Sequence, residues 1–311
     1  GGDRMNIITP ITVTAAMIGG ATTIAEPAAG ETAWVSAGTY ALGDLRIRTT
    51  THRVYKCVQA HTGRTALPED DAAYWLDYQP TQLWAPFDVY TNTAAATTTT
   101  MTYVLTPGYF NAIALYGLVG TSYTLTVKDV TGGSTIYSSS GYLSEAPVGW
   151  YEYLFGAVVA VRKLVFTSIP IRPAAELTLT ITAGTGEAVG VGMIVCGDYA
   201  PLHGFGDWGG AQYGASAEPV TYSYIQTDEY GTTTIVRRHS ATNLRASVAL
   251  PRNQADAALQ AMQSVLDVPV AWVATDAAGY AGLTTFGIGN GSMNYDSFGT
   301  ATFDITVKGL V

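Results

Sequence analysis

Hydrophobic and polar residues alternate along much of the chain. Tyr123, Leu125 and Val127 are interleaved with Thr124, Thr126 and Lys128, and Leu177, Leu179 and Ile181 with Thr178, Thr180 and Thr182. A period of two places alternate side chains on opposite sides of an extended chain, which predicts strands with one buried face. Further strands are predicted at 110–116, 135–139, 151–155, 164–167 and 189–196. Turn signals such as Thr131-Gly132-Gly133 and Ile169-Pro170 lie between them. Short strands at this spacing predict an antiparallel sandwich or jelly roll over 91–203.

The last third of the chain adds a helix. Ala255, Ala258, Leu259, Met262, Val265 and Leu266 follow helical spacing, between Pro251 and Pro269. Asn253 can cap this helix, and Asp256 suits the positive end of its dipole. Strands are predicted at 220–225, 232–237, 245–250, 270–274 and 301–307. In the last of these, Ala301, Phe303, Ile305 and Val307 alternate with polar residues. Three turn-rich seams divide the sequence: Glu26 to Gly30, the low-complexity run 91–100 without a hydrophobic face, and the glycine-rich stretch 204–214. The expected organisation is mainly β and multidomain. It comprises an N-terminal arm at 1–28, an aromatic-rich β domain at 29–90, a β-sandwich at 91–203 and an α+β assembly domain at 204–311. The arm alternates Ile8, Ile11 and Val13 with threonines, which predicts one or two strands. Gly1 to Arg4 read like a cloning remnant, so the natural chain is expected to start at Met5.

Composition narrows the function. Of the 311 residues 48% are hydrophobic and only 13% charged, against roughly 25% charged in ordinary globular domains. A surface so weakly repulsive suits packing against other subunits. The net charge is −9, and the basic residues are dispersed (Arg46, Arg48 and Arg53, then Arg237 and Arg238). Neither the phosphate backbone of a nucleic acid nor an anionic membrane surface is an expected partner. No apolar run is long enough for a transmembrane helix, and no secretory signal opens the chain. Cys57 and Cys196 stand outside any CxxC pattern. They could pair, but isolated cysteines in strands are more often buried small hydrophobes.

Catalytic signals fail on their own requirements. His52, His61, His203 and His239 share no metal-ligand spacing. Gly204-Phe205-Gly206-Asp207-Trp208-Gly209 matches GxGxxG, but no helix former follows to hold a pyrophosphate. There is no GxSxG elbow. Glu69, Asp70, Asp71, Asp228 and Glu229 fall in predicted turns, where solvated acids are the default. The chain is expected not to be an enzyme and to need neither cofactor nor metal.

The segment 33–75 carries a more particular pattern. It reads Ala33-Trp34, Tyr40, Gly43-Asp44, Val54-Tyr55-Lys56-Cys57, Gly63, Pro68 and Trp75. This resembles the chitin-binding modules of carbohydrate-binding module families 5 and 12, which are compact twisted sheets. The resemblance implies that Trp34, Tyr40, Tyr55 and Trp75 form a small aromatic core. Where those modules expose paired tryptophans to stack on sugar, this chain has Gln59 and Ala60. Tyr78 and Trp84 are the candidate replacements for saccharide contact.

The order of blocks along the chain resembles bacteriophage tail proteins that carry such a module near the N-terminus. The blocks are Leu83-Trp84-Ala85-Pro86-Phe87-Asp88, Trp150-Tyr151-Glu152-Tyr153, Gly190 to Val195, Tyr213-Gly214-Ala215, Thr227 to Arg238, and Lys308-Gly309-Leu310. The resemblance implies a structural component of a tail tip or baseplate, homo-oligomeric in the virion and made in the host cytoplasm. Its partners would be other tail proteins. The second reading is a glycan-binding adhesin that recognises bacterial surface polysaccharide.

Overall fold

A computed structural model describes residues 5–90, 92–145, 149–156, 159–202, 210–212, 214–227, 229, 231–237, 239–275 and 280–310. The GxGxxG stretch, His203 and Asp228 lie outside the described residues.

The chain is mainly β and multidomain, with several antiparallel sheets and one long helix packed on them. Its largest sheet runs, in spatial order, through Lys163–Phe166, Ala112–Tyr116, Met193–Pro201, Asn6–Pro10, Val270–Val273, Thr284–Asn294, Thr300–Gly309 and Ser240–Pro251. Gly210–Ala211 and Ser216–Thr221 both pair with Ser240–Pro251. The N-terminal strand therefore sits inside the sheet. Ile8 pairs with Tyr199 on one side and with Ala271 on the other.

Much of this sheet is buried on both faces. On one face Ile113, Leu115, Ile194 and Cys196 pack against a four-stranded sheet made of Thr135–Tyr142, Ser122–Lys128, Glu176–Thr182 and Thr100–Leu105. Leu125, Val127, Leu177, Leu179 and Ile181 supply the facing half of that sandwich core. Further along the same face, Ile7, Val270 and Trp272 join Leu244, Val248, Phe303 and Ile305 beneath the helix Arg252–Gln263. The opposite face carries Ile8, Ala112, Ala114, Tyr116, Met193, Val195, Ala271, Val273 and Phe286.

This second face is covered because the sheet curls on itself. Tyr116 and Phe286 stand four strands apart, ~19 Å in a flat sheet at ~4.8 Å per strand. Their ring centroids are 6.3 Å apart. Lys163 Nζ, on the first strand, donates to Thr284 O on the sixth at 3.0 Å.

The arm after Asn6–Pro10 runs along the open edge of the four-stranded sheet. Gly19 N donates to Val104 O and Thr23 N to Thr102 O, while Thr106 N donates to Met17 O. An exposed strand edge is thereby closed.

Several local expectations change. The stretch 151–155, expected as a strand, lies in the helix Trp150–Phe155. It occupies the tip of a connection whose flanks pair through Glu145 with Val159 and Val161 with Leu143. Among the described residues no strand pairs with it, so a helical turn satisfies its backbone locally. The helix Arg252–Gln263 begins directly after the strand ending at Pro251, so Asn253 lies within its first turn and does not cap it. The Arg252 N–H is met instead by Gly299 O. The run 91–100 was expected to lack a buried face, yet Ala95–Thr98 pairs with Ala188–Val191, and Ala95 is fully buried. The predicted strand 220–225 is split: Ser216–Thr221 joins the large sheet, and Tyr224–Thr227 forms a hairpin with Thr233–Val236.

Trp272 anchors the region under the helix. Its ring is fully buried, and Nε1 donates to Gly287 O at 3.0 Å. A Cβ at Gly289 would lie 2.2 Å from the ring. Trp272→Ala should cost about 3–5 kcal/mol through lost burial and the cavity left behind. Gly289→Ala should destabilise as well, and urea unfolding midpoints check both.

Candidate functional site

The segment 29–90 folds around its aromatic residues. Leu45–Arg48, Arg53–Cys57 and Trp75–Pro80 form a three-stranded sheet, and Thr39–Tyr40 pairs with His61–Thr62. Tyr40, Tyr55, Cys57 and Trp75 are buried together, with Trp34 and Tyr74 packed against them. Tyr40 meets Trp75 edge-on at 5.0 Å, and its hydroxyl both donates to Val35 O and accepts from Val35 N. These rings are used up as core.

Arginines clamp the outside of that core. Arg64 forms a paired hydrogen bond with Asp71, at 2.8 and 3.1 Å, and lies 3.8 Å over the Tyr74 ring. Arg48 reaches Glu69 at 3.0 Å and lies over Trp34. Asp71, 8% exposed, is thus a structural anion rather than a solvated turn acid, while Glu69 pairs with Arg48 at the surface. Gln59 and Ala60 are exposed, and Gln59 O accepts from the Cys57 thiol.

The two candidate saccharide residues stand in different grooves. Trp84 is half-buried, stacked on His52 at 4.3 Å, in a groove of 290 Å³ with Ile18, Gly19, Glu26 and Leu83. His52 is held by Glu26 Oε2 at 2.8 Å, and Glu26 Oε1 accepts from Thr81. The Trp84 Nε1–H is buried without a partner among the described residues.

Tyr78 borders a wider cleft of 780 Å³. It is 51% exposed, with Lys56 Nζ 5.6 Å from its ring. Tyr90, 50% exposed, stands on the same cleft, which Arg53, Gln79, Asn92 and His239 also line. Arg53 donates to Asp77 at 2.7 Å. Sequence reasoning did not single out Tyr90, Asn92 or His239 for this role. Tyr90 lies beside the low-complexity run 91–100 and Asn92 within it, and His239 comes from a distant part of the chain.

Asp88 shapes the rim. Its carboxylate accepts from Tyr90 N at 2.9 Å and from Thr93 Oγ1 at 2.7 Å. Burial raises its pKa, partly offset by those two hydrogen bonds. Burial likewise raises the pKa of the Cys57 thiol and pushes Cys196 up to about 12, so both free, buried thiols stay protonated. Among the described residues no group of His, Cys, Asp or Glu is arranged to hold a metal ion. None of their helices is long and apolar enough to cross a membrane.

No family model matches the chain, and no curated protein matches it. A likeness exists to one solved structure, a selenomethionine-labelled mutant of the chitosan-binding module 1 derived from a chitosanase/glucanase from Paenibacillus sp. IK-5. The identity is 15%, the match covers 37% of this chain and 82% of that chain, and the TM-score is 0.26. The likeness is distant and partial, and no functional residue is carried across from it.

The raised Asp88 pKa has a consequence for stability. A carboxyl that holds its proton more tightly when folded contributes most at low pH, and that contribution is lost as pH rises through the folded pKa. Asp88→Asn should therefore stabilise the protein near neutral pH, with the advantage shrinking as the solution is acidified. Thermal unfolding of both forms across that range checks the sign.

Proposed function

We propose that the chain is a glycan-binding protein that recognises bacterial surface polysaccharide through the cleft bordered by Tyr78 and Tyr90. The observation that carries this reading is the pair of half-exposed rings on a polar cleft large enough for several sugar units. An aromatic ring offers a flat apolar face to the C–H side of a sugar. Arg53, Gln79 and Asn92 supply donors and acceptors for its hydroxyls. Asp77 orients the Arg53 guanidinium and Asp88 holds the Tyr90–Thr93 rim, so part of the site is arranged before ligand arrives. In this reading the buried aromatics of 29–90 hold the module together, and sugar contact has moved from the Gln59–Ala60 strand end to the cleft.

The setting we propose is the tip or baseplate of a bacteriophage tail, where the chain is both a structural component and a display for this cleft. The order of sequence blocks supports it, together with the low charge. Other tail proteins and further copies of this chain are its proposed partners, the virion its proposed location, and binding rather than catalysis its role.

Two measurements test these readings. Arrays of bacterial surface polysaccharides should show binding that Tyr78→Ala weakens about tenfold, equivalent to about 1.4 kcal/mol. Loss on Trp84→Ala with Tyr78→Ala unaffected would move the site to the His52 groove, and silence of the wild type on arrays would sink glycan recognition. For the assembly role, electron microscopy of purified protein should show rings, and virion fractions should contain the chain. Particles that lack it would end the tail assignment.

A further inference from the structure

Where the curled sheet brings its first strands close to its far strands, a half-open cavity of 290 Å³ forms. Tyr116, Arg162 and Lys163 line it from one side, and Ser240, Thr242 and Phe286 from the other. Lys163 and Tyr116 are directly paired across neighbouring strands.

Three features of this cavity are unusual together. Lys163 is half-buried, and the loss of hydration pulls its pKa below the usual value. Its ammonium has three donors, and the carbonyl of Thr284 takes one of them. Among the described residues neither Lys163 nor Arg162 forms an ion pair, although acidic residues outnumber basic ones in the chain. Tyr116 is 4% exposed, and its hydroxyl is buried with no hydrogen-bond partner among the described residues. A half-buried cation without an anion and a buried hydroxyl without an acceptor are each costly. Both residues line the same cavity.

We propose that this cavity binds a compact oxyanion, the phosphate or carboxylate group of a small molecule. Lys163 and Arg162 supply the positive charge, and the Tyr116 hydroxyl donates to an oxygen. Ser240 and Thr242 line the same cavity with further hydroxyls, and the Phe286 ring offers an apolar wall to whatever body carries the anion. The site is distinct from the Tyr78 cleft and does not depend on the glycan reading.

Calorimetric titration of the full chain with inorganic phosphate and separately with acetate, at matched ionic strength in chloride, tests this. Saturable binding of either is expected. Phosphate alone would identify a phosphate-bearing ligand, and acetate binding as well would extend the class to carboxylates. Lys163→Met keeps the apolar stem and should weaken binding at least tenfold. Tyr116→Phe should weaken it several-fold while raising the melting temperature of the ligand-free protein, because the orphan hydroxyl is gone. Lys128→Met removes a surface lysine paired with Glu176, and it should leave binding unchanged. Should Lys163→Met not fold, phosphorus NMR of phosphate with the wild type replaces it. Line broadening that a stoichiometric amount of protein produces supports the site, and its absence overturns it. The proposal is also overturned if neither anion binds saturably, if Lys163→Met binds as the wild type does, or if Lys128→Met loses as much.

Discussion

The pairing of Asn6–Pro10 with strands on both sides is the constraint on which the rest of the structure depends. Met193–Pro201 lies on one flank and Val270–Val273 on the other, so a few residues near the start of the chain splice strands from its middle to strands from its end. Ile7 points into the core beneath the helix, and Ile8 into the core of the opposite face. Each therefore contributes apolar burial to a different cluster, at about 25 cal/mol per Å². The loop-closure entropy of these long-range pairings grows only slowly with the length enclosed, so burial on two faces is sufficient to offset it. The arm that follows then closes the edge of the four-stranded sheet.

That double-sided burial also explains what the sequence could and could not reveal. The segments 122–128, 176–182 and 300–309 have one buried face, and their alternation announced it directly. Ala112–Tyr116 and Val270–Val273 are buried at every position. Their apolar runs mark strands but carry no information about which side chain meets which core. The mainly β, multidomain character was accordingly legible, and the order of strands in the large sheet was not. The helix showed itself through Ala255, Ala258 and Met262, all buried. The aromatic stretch at 151–155 misled because its propensity is that of a strand, while no strand among the described residues pairs with it.

The candidate sites were less legible still. Aromatic residues in 29–90 announce a small core, and Tyr40, Tyr55 and Trp75 form one. Nothing in the local sequence distinguishes a ring used for packing from one left on the surface. Tyr78 and Trp84 lie close in the chain, yet one stands half-exposed on a cleft and the other is stacked on His52. Glu26 holds His52 from a separate segment, so the ring that Trp84 stacks on is positioned by a residue distant in the chain. Charge was equally uninformative at Lys163. Its partial burial arises only when the sheet curls, and a lone lysine in a strand pattern otherwise reads as a solvated residue.

Both proposed binding regions are products of closure rather than of motifs. The Tyr78 cleft joins residues of 53–94 to His239, and the oxyanion cavity joins Tyr116 and Lys163 to Ser240, Thr242 and Phe286. In the second, the two sides come from strands on opposite sides of the splice made by Asn6–Pro10. A fold that places its polar, uncommitted side chains along such junctions keeps its cores apolar and its polar groups where a ligand can reach them. The cost of an unpartnered cation or hydroxyl is tolerated at the junction because the cores on either face of the large sheet hold it in place. Binding at either site would then add to the stability of the closed arrangement, since a ligand that touches both sides favours the state in which they meet.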